Sequence, residues 1–564
     1  MDKRLLIAVL LAVAVVLITP KLFPPAPGPV PAPGADSTAS SVNAKTADSM
    51  KARAPASTPA VAPAAATPAP GGAPNATPAA AAAPAETASV ATPTVTWRFT
   101  SAGASLIGAS LADYRVLPKH DRHVALARAG VPLLAYRVLH GADTLDLRKV
   151  AFRAAPSSPR TLSYSATTTA GTVTLQYAFV ADSYLVHVRG TLRGTDGAAI
   201  RLAVVMPDGL ASSEADTLDD QRNLAYVWKP PTDEAESVPF ATIVKKEWIR
   251  QEGPFEWVAS KSKYFLLAVI TTGKSSFSGP ALFSGSATNA KVPATASGEM
   301  VLTPDGEGAF SFDVYAGPQQ WRRLIALGHG LQDANPYGSF ARGLIQPISR
   351  WVMAVLLWMH DTFRLNYGWV LVIFGIGVRL ILWPLNQSAM RSSLRMQRVQ
   401  PELQALQAKY KGNPEKMHAE YMKLLEQHGM TPFSQFSGCL PMLIPMPVLF
   451  ALFFVFRNTI EFRGVPFLWM ADISLKDPYF ILPVLMGLSM FALSWVGLRN
   501  APPNPQAKMM GYMMPGLMVV LFMGFPAGLN LYYAVQNVAA LPQQWLIARE
   551  RAKNPAPAVP VPRT

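Results

Sequence analysis

The sequence predicts a polytopic α-helical membrane protein with six transmembrane helices, carrying an antiparallel β-sandwich domain outside the cytoplasm. Three observations predict it. Half of the 564 residues are hydrophobic and mean hydropathy is +0.20, unusual for a water-soluble chain. Apolar runs of helical length recur in the C-terminal third, near the ~20 residues needed to span a bilayer. Between residues 96 and 320 short runs instead alternate apolar and polar residues, the period of a half-buried strand.

The chain opens MDKRLLIAVLLAVAVVLITPK. Lys3 and Arg4 precede an apolar run from Leu5 to Ile18. No small-x-small cleavage site is adjacent, so residues 1–23 read as an uncleaved signal-anchor helix. Residues 24–95 are dominated by Pro and Ala, as in PAPGPVPAPGAD. Such a stretch has too little large apolar surface to pack and reads as a disordered tether.

Within 96–320, TVTLQYAF puts Val173, Leu175, Tyr177 and Phe179 on one face, and SYLVHVRG does the same for Tyr184, Val186 and Val188. Gly, Asp, Ser and Thr clusters separate the runs, the pattern of a β-sandwich. This domain shows no metal spacing or nucleophile motif and reads as a folding or docking module. Residues 321–365 turn helical. The apolar stretch 351–359 is too short to span and fits an amphipathic helix lying in the interface. Five candidate spans follow within 366–548, at 368–385, 440–456, 479–498, 509–525 and 529–547.

Charge sets the topology. With the N-terminus inside, the segment before Leu5, the long loop 386–439, the loop 499–508 and the basic tail 549–564 all face the cytoplasm and carry Lys and Arg. The outside loop 457–478 balances Arg457, Arg463 and Lys476 against Glu461, Asp472 and Asp477. This is the positive-inside distribution. It accounts for the +15 formal charge without a DNA partner. The β domain then lies outside the cytoplasm.

Three features carry chemistry. The first is Arg379 in FGIGVRLILWPL. A central Arg costs about 2.5–3.5 kcal/mol on insertion scales. It lies about 9 Å from the cytoplasmic end of its helix, so it either snorkels to the headgroups or faces a water-filled cavity. Gly375, one turn earlier, leaves room beside it, and no acidic residue lies in any other span. The second is a polar stripe on the last span. Asn530, Tyr533, Asn537 and Gln544 share one helical face, which should meet water or a neighbouring helix rather than lipid. Tyr532 points about 100° away. The third is the hairpin 386–439, broken at KGNP, whose first arm presents Arg391, Arg395 and Arg398 on one side. It reads as a solvated charged hairpin or a landing site for a ribosome, a nascent chain or anionic headgroups.

Catalysis finds no support. The spans hold no His, Asp or Glu, and no nucleotide, zinc-protease or dinucleotide motif occurs. The lone Cys439 forbids an internal disulfide and reads as a small apolar residue.

VRLILWPL, VQPELQALQAKYKGNPEKMHAEYMKLLEQHG, SGCLPMLIPMPVLFALFFVFRNTIE, FLWMADISLKDPYFILPVLMG and FPAGLNLYYAVQNV resemble the YidC membrane protein insertase family across residues 340–550. WVASKSKYFLLAVI and VYAGP resemble the periplasmic domain of its Gram-negative members. The resemblance implies a bacterial inner-membrane insertase and chaperone with cytoplasmic termini. It acts alone or with the Sec translocon and its accessory subunits. Its clients are nascent membrane proteins, ribosomes or targeting factors meet the hairpin and tail, lipids surround it, and neither cofactor nor metal is implied. It further implies a five-helix core enclosing a hydrophilic groove open to cytoplasm and lipid. The family's groove arginine falls on Arg379, and its last-span tyrosine on the Tyr532–Tyr533 pair, from which the stripe selects Tyr533. Two departures stand out: Pro445 where many members have Gln, and a TPFSQFSGC stretch about three residues longer than usual. A secondary transporter, which would need a midplane site and internal repeats, and an assembly scaffold acting through its β domain remain the alternatives.

Overall fold

The computed structural model describes residues 85–155, 158–194, 200–246, 248–272, 277–286, 295–335, 342–384, 386–387, 402, 405–406, 409–410, 413–427, 446–499 and 505–553. The first segment, Arg391, Arg395, Arg398, Cys439 and Pro445 lie outside the described residues.

Three antiparallel sheets form the β unit. A four-stranded sheet runs in the order Thr87–Ala91, Val95–Thr100, Leu106–Arg115, His123–Ala125. A nine-stranded sheet centres on Trp257–Lys261, Phe265–Thr271, Ala309–Pro318, Leu185–Gly194 and Gly171–Phe179. A six-stranded sheet centres on Ala281–Ser286, Thr295–Leu302, Ile200–Met206 and Ala135–His140. All three contribute to one apolar core. Val173, Leu175, Tyr177 and Phe179 are buried while the residues between them are not. The alternation works because one face of this sheet packs inward and a strand's side chains switch faces at every residue. The first strand, Thr87–Ala91, pairs with Val95–Thr100 from Thr87↔Thr100 to Ala91↔Thr96. Folded structure therefore extends into the stretch expected to be tether. Its TASVA sequence looks like linker, but Ala88 and Val90 pack on the core.

Among the described residues seven longer helices follow: α1 Arg342–Phe363, α2 Tyr367–Ile381, α3 Pro414–Gln427, α4 Met446–Asn458, α5 Ile481–Leu498, α6 Pro505–Phe522 and α7 Ala527–Lys553. The expected nine-residue interfacial stretch is part of a 22-residue helix. It starts earlier because its polar residues are partnered: Gln346 accepts from Arg342 Nε at 2.6 Å and donates to Asp333 Oδ1 at 3.1 Å. Val352, Met353, Leu356 and Leu357 are buried while Trp351 and Trp358 face outward, an amphipathic division. α1 and α2 meet at 119°. Asn366 caps α2, its Oδ1 accepting from Gly368 N at 2.8 Å. Among the described residues α5 is by length and composition able to cross a membrane alone, and the bent pair α1–α2 adds a second candidate.

α7 packs against both α2 and α5, and α4 against α1. Glycines permit the close approaches. A Cβ on Gly375 would sit 3.2 Å from Val535 Cγ1, and one on Gly487 would sit 2.1 Å from Val519 Cγ2.

The β unit is tied to the last turn of α4 and the segment after it by polar contacts. Arg457 Nη2 donates to Asp219 Oδ1 at 2.9 Å, and Lys263 Nζ lies 3.0 Å from Asp219 Oδ2. Tyr264 Oη lies 3.2 Å from Ser474 Oγ. Ile460 enters the β-unit core.

Candidate substrate groove

α2 is apolar almost throughout, and Arg379 sits in its last turn. The guanidinium faces α7. Arg379 Nη2 donates to Gln543 Oε1 at 2.9 Å. Gln543 is 1% exposed and its Nε2 donates to Trp383 O at 3.0 Å, with Gln387 Oε1 at 3.4 Å. One turn and more up the same face, Gln536 Nε2 donates to Gly375 O at 3.0 Å and to Tyr532 Oη at 2.9 Å. Tyr532 is buried, its ring centroid 6.0 Å from that of Phe374. Positions 532, 536 and 543 share one helical face. They line the seam with α2 as a chain of neutral polar groups.

Arg379 Nε is buried without a hydrogen-bond partner, and among the described residues no carboxylate pairs with the guanidinium. A guanidinium carries five donors and stays protonated. The neutral amide of Gln543 satisfies part of it and leaves its charge uncancelled. Such a site attracts an anionic group and offers it more than one donor.

The sequence stripe resolves differently. Asn530 is fully buried and its Nδ2 donates to Phe522 O at the end of α6, 3.1 Å away. Asn537 Nδ2 donates to Ser489 Oγ of α5 at 3.2 Å. Gln544 lies against Gly497 of α5. Tyr533 packs edge-on against Phe522, centroids 5.3 Å apart. That face is therefore a helix–helix seam toward α5 and α6. Tyr532 lies on the α2-facing side of α7 with Gln536 and Gln543, while Tyr533 faces α6. The cause is geometric: α7 carries two polar faces about 100° apart, and spacing along one helix does not say which neighbour each face meets. The spacing Tyr532–Gln536–Gln543 was present in the sequence as a signal. It contains fewer residues than the competing stripe, which therefore dominates the pattern.

Known proteins match the chain along the same division. The family profile described as the 60Kd inner membrane protein matches residues 358–554, and that described as the YidC periplasmic domain matches residues 87–351. A membrane protein insertase YidC from Anaeromyxobacter dehalogenans (strain 2CP-C) is 36% identical over 310 residues, 54% of each chain. One from Pelodictyon phaeoclathratiforme is 30% identical over 410 residues, 68% of this chain and 67% of its own length. The chain thus spans about half the length of the Anaeromyxobacter relative and two thirds of the other. A crystal structure of an active YidC insertase with its first transmembrane domain resolved aligns with 81% of this chain and 92% of its own, at 18% identity and a TM-score of 0.34.

Proposed function

This chain belongs to the YidC membrane protein insertase family, and from that premise we propose that it inserts and folds integral membrane proteins through the polar seam between α2 and α7. The observation that carries the reading is Arg379: a charged group beside apolar helices, held by one neutral amide, with a buried Nε awaiting an acceptor. A hydrated groove there shortens the hydrocarbon path that a client's polar tail must cross. Arg379 holds an acidic residue of that tail transiently. The apolar segment then moves sideways into lipid, where ~20 apolar residues are stable. Its own partitioning drives the step, and no bond is made or broken.

In this reading the protein lies in the bacterial inner membrane with six spans, cytoplasmic termini and a periplasmic β unit. Nascent membrane proteins are its clients. The Sec translocon, ribosomes or targeting factors at the 386–439 hairpin, and membrane lipids are its neighbours. Support for the orientation comes from the distribution of Lys and Arg.

Photo-crosslinkers at positions 379 and 532, presented to ribosome-stalled nascent chains of a small membrane protein, test the function. Adducts at both positions, weaker at lipid-facing Val484 (44% exposed), are expected. Equal adducts at all three would remove the groove.

A further inference from the structure

We infer that Gln543 is the positioning residue that orients the Arg379 guanidinium toward an anionic group of the client, and that its being an uncharged amide keeps the arginine available. The inference rests on the groove reading above and adds to it what sets the arginine's direction and its readiness to exchange partners.

The amide's orientation is set from both ends. Gln543 Nε2 donates to the main-chain oxygen of Trp383 at 3.0 Å. A carbonyl only accepts, so the nitrogen belongs on that side and Oε1 is left to face Arg379 Nη2, 2.9 Å away. A flipped amide would set its NH2 against the guanidinium, donor against donor, and oxygen against oxygen at Trp383. Gln543 is almost fully buried, so water has little access to relieve either conflict. The guanidinium is planar, so fixing one Nη fixes the direction of the rest. Gln543 comes from α7 and Arg379 from α2, so the contact also sets the seam between the two helices.

The chemistry of the partner matters as much as its position. A carboxylate at 543 would reach Arg379 with nearly the same atoms but would form a charged pair, which is stronger and harder to displace. The neutral acceptor holds the arginine in place and leaves its charge for an incoming carboxylate.

The test uses the full-length protein in proteoliposomes, with one client bearing an acidic translocated tail and a matched client with a neutral tail. Gln543→Glu is expected to lower acidic-tail insertion by about tenfold or more while leaving the neutral tail near wild type. Gln543→Met, of similar length without the amide, is expected to narrow the difference between the two clients. Arg379→Ala serves as reference and is expected to remove that difference. If Arg379→Ala removes it and Gln543→Glu and Gln543→Met both behave as wild type, this inference falls and the groove reading stands. If Arg379→Ala itself treats both clients as wild type does, both fall. If Gln543→Glu loses both clients equally and Gln543→Met does the same, Gln543 is structural and the inference falls.

Discussion

Arg463 Nε lies 2.8 Å from Glu214 Oε2, with the two side chains only 5% and 6% exposed. This ion pair joins the segment after α4 to the β unit. Arg463 Nη2 also donates to the main-chain oxygens of Arg115 and Ser213, so its charge is well satisfied. Burial pushes the Glu214 carboxyl upward, and the pull of Arg463 in the other direction only partly offsets it. Arg463→Ala would leave Glu214 buried without a counter-charge, and the expected loss is about 3–5 kcal/mol. Replacing both residues by Met should lose much less. Thermal unfolding of the detergent-solubilised protein distinguishes the two outcomes, and equal losses would mean the pair is not the source.

Glu461, at the same joint, is expected to make stability depend on pH. Its Oε1 accepts from Trp321 N at 3.1 Å, while Oε2 is buried without a partner. Burial pushes its pKa up to about 7, with Arg322 pulling down. An unfolded Glu titrates near 4.3, so the folded state holds the proton more tightly. The stabilisation is full below about pH 4.3 and is lost as pH rises through about 7. Glu461→Gln, which mimics the protonated form, should remove that part of the decline in unfolding temperature between pH 5 and 8. A variant with the wild-type slope would show that Glu461 does not set it.

For Arg379, substitution by Ala should lower insertion of clients with acidic translocated tails, and by Lys only in part, because a charge matters more here than a fork of donors. The assay is protease protection of the inserted tail in proteoliposomes. Equal insertion by the Ala variant for several such clients would remove the charge mechanism and leave the family assignment untouched.

Gly487 marks the contact of α5 with α6. An added Cβ would lie 2.1 Å from Val519 Cγ2. Gly487→Ala should therefore destabilise by about 1–3 kcal/mol, and Gly487→Ala with Val519→Ala should recover part of it. Unfolding in detergent reads both. An unaltered single variant would place the two helices further apart.

Much of the β unit is legible in the sequence. Val173, Leu175, Tyr177 and Phe179, and likewise Tyr184, Val186 and Val188, are buried as their alternation requires, because a one-sided sheet imposes a local period. The strand Thr87–Ala91 was not legible. Its small residues resemble the preceding tether, and only pairing with Val95–Thr100 makes them a strand. Helix α1 was legible in its amphipathic half. Its beginning depended on Asp333, Arg342 and Gln346 meeting across a turn.

The candidate site divides along the same line. That Arg379 is an anomaly needing water or a polar neighbour follows from its residue type and surroundings, because the cost of a charge in hydrocarbon is local. So does the presence of polar faces on the last helix. Which face meets the arginine depends on how α7 is rotated against α2, α5 and α6, and that rotation is set by contacts with residues such as Gly375, Gly497 and Phe522 far away in the chain. One hundred degrees of rotation exchanges Tyr533 for Tyr532, and with it the face that carries Gln536 and Gln543.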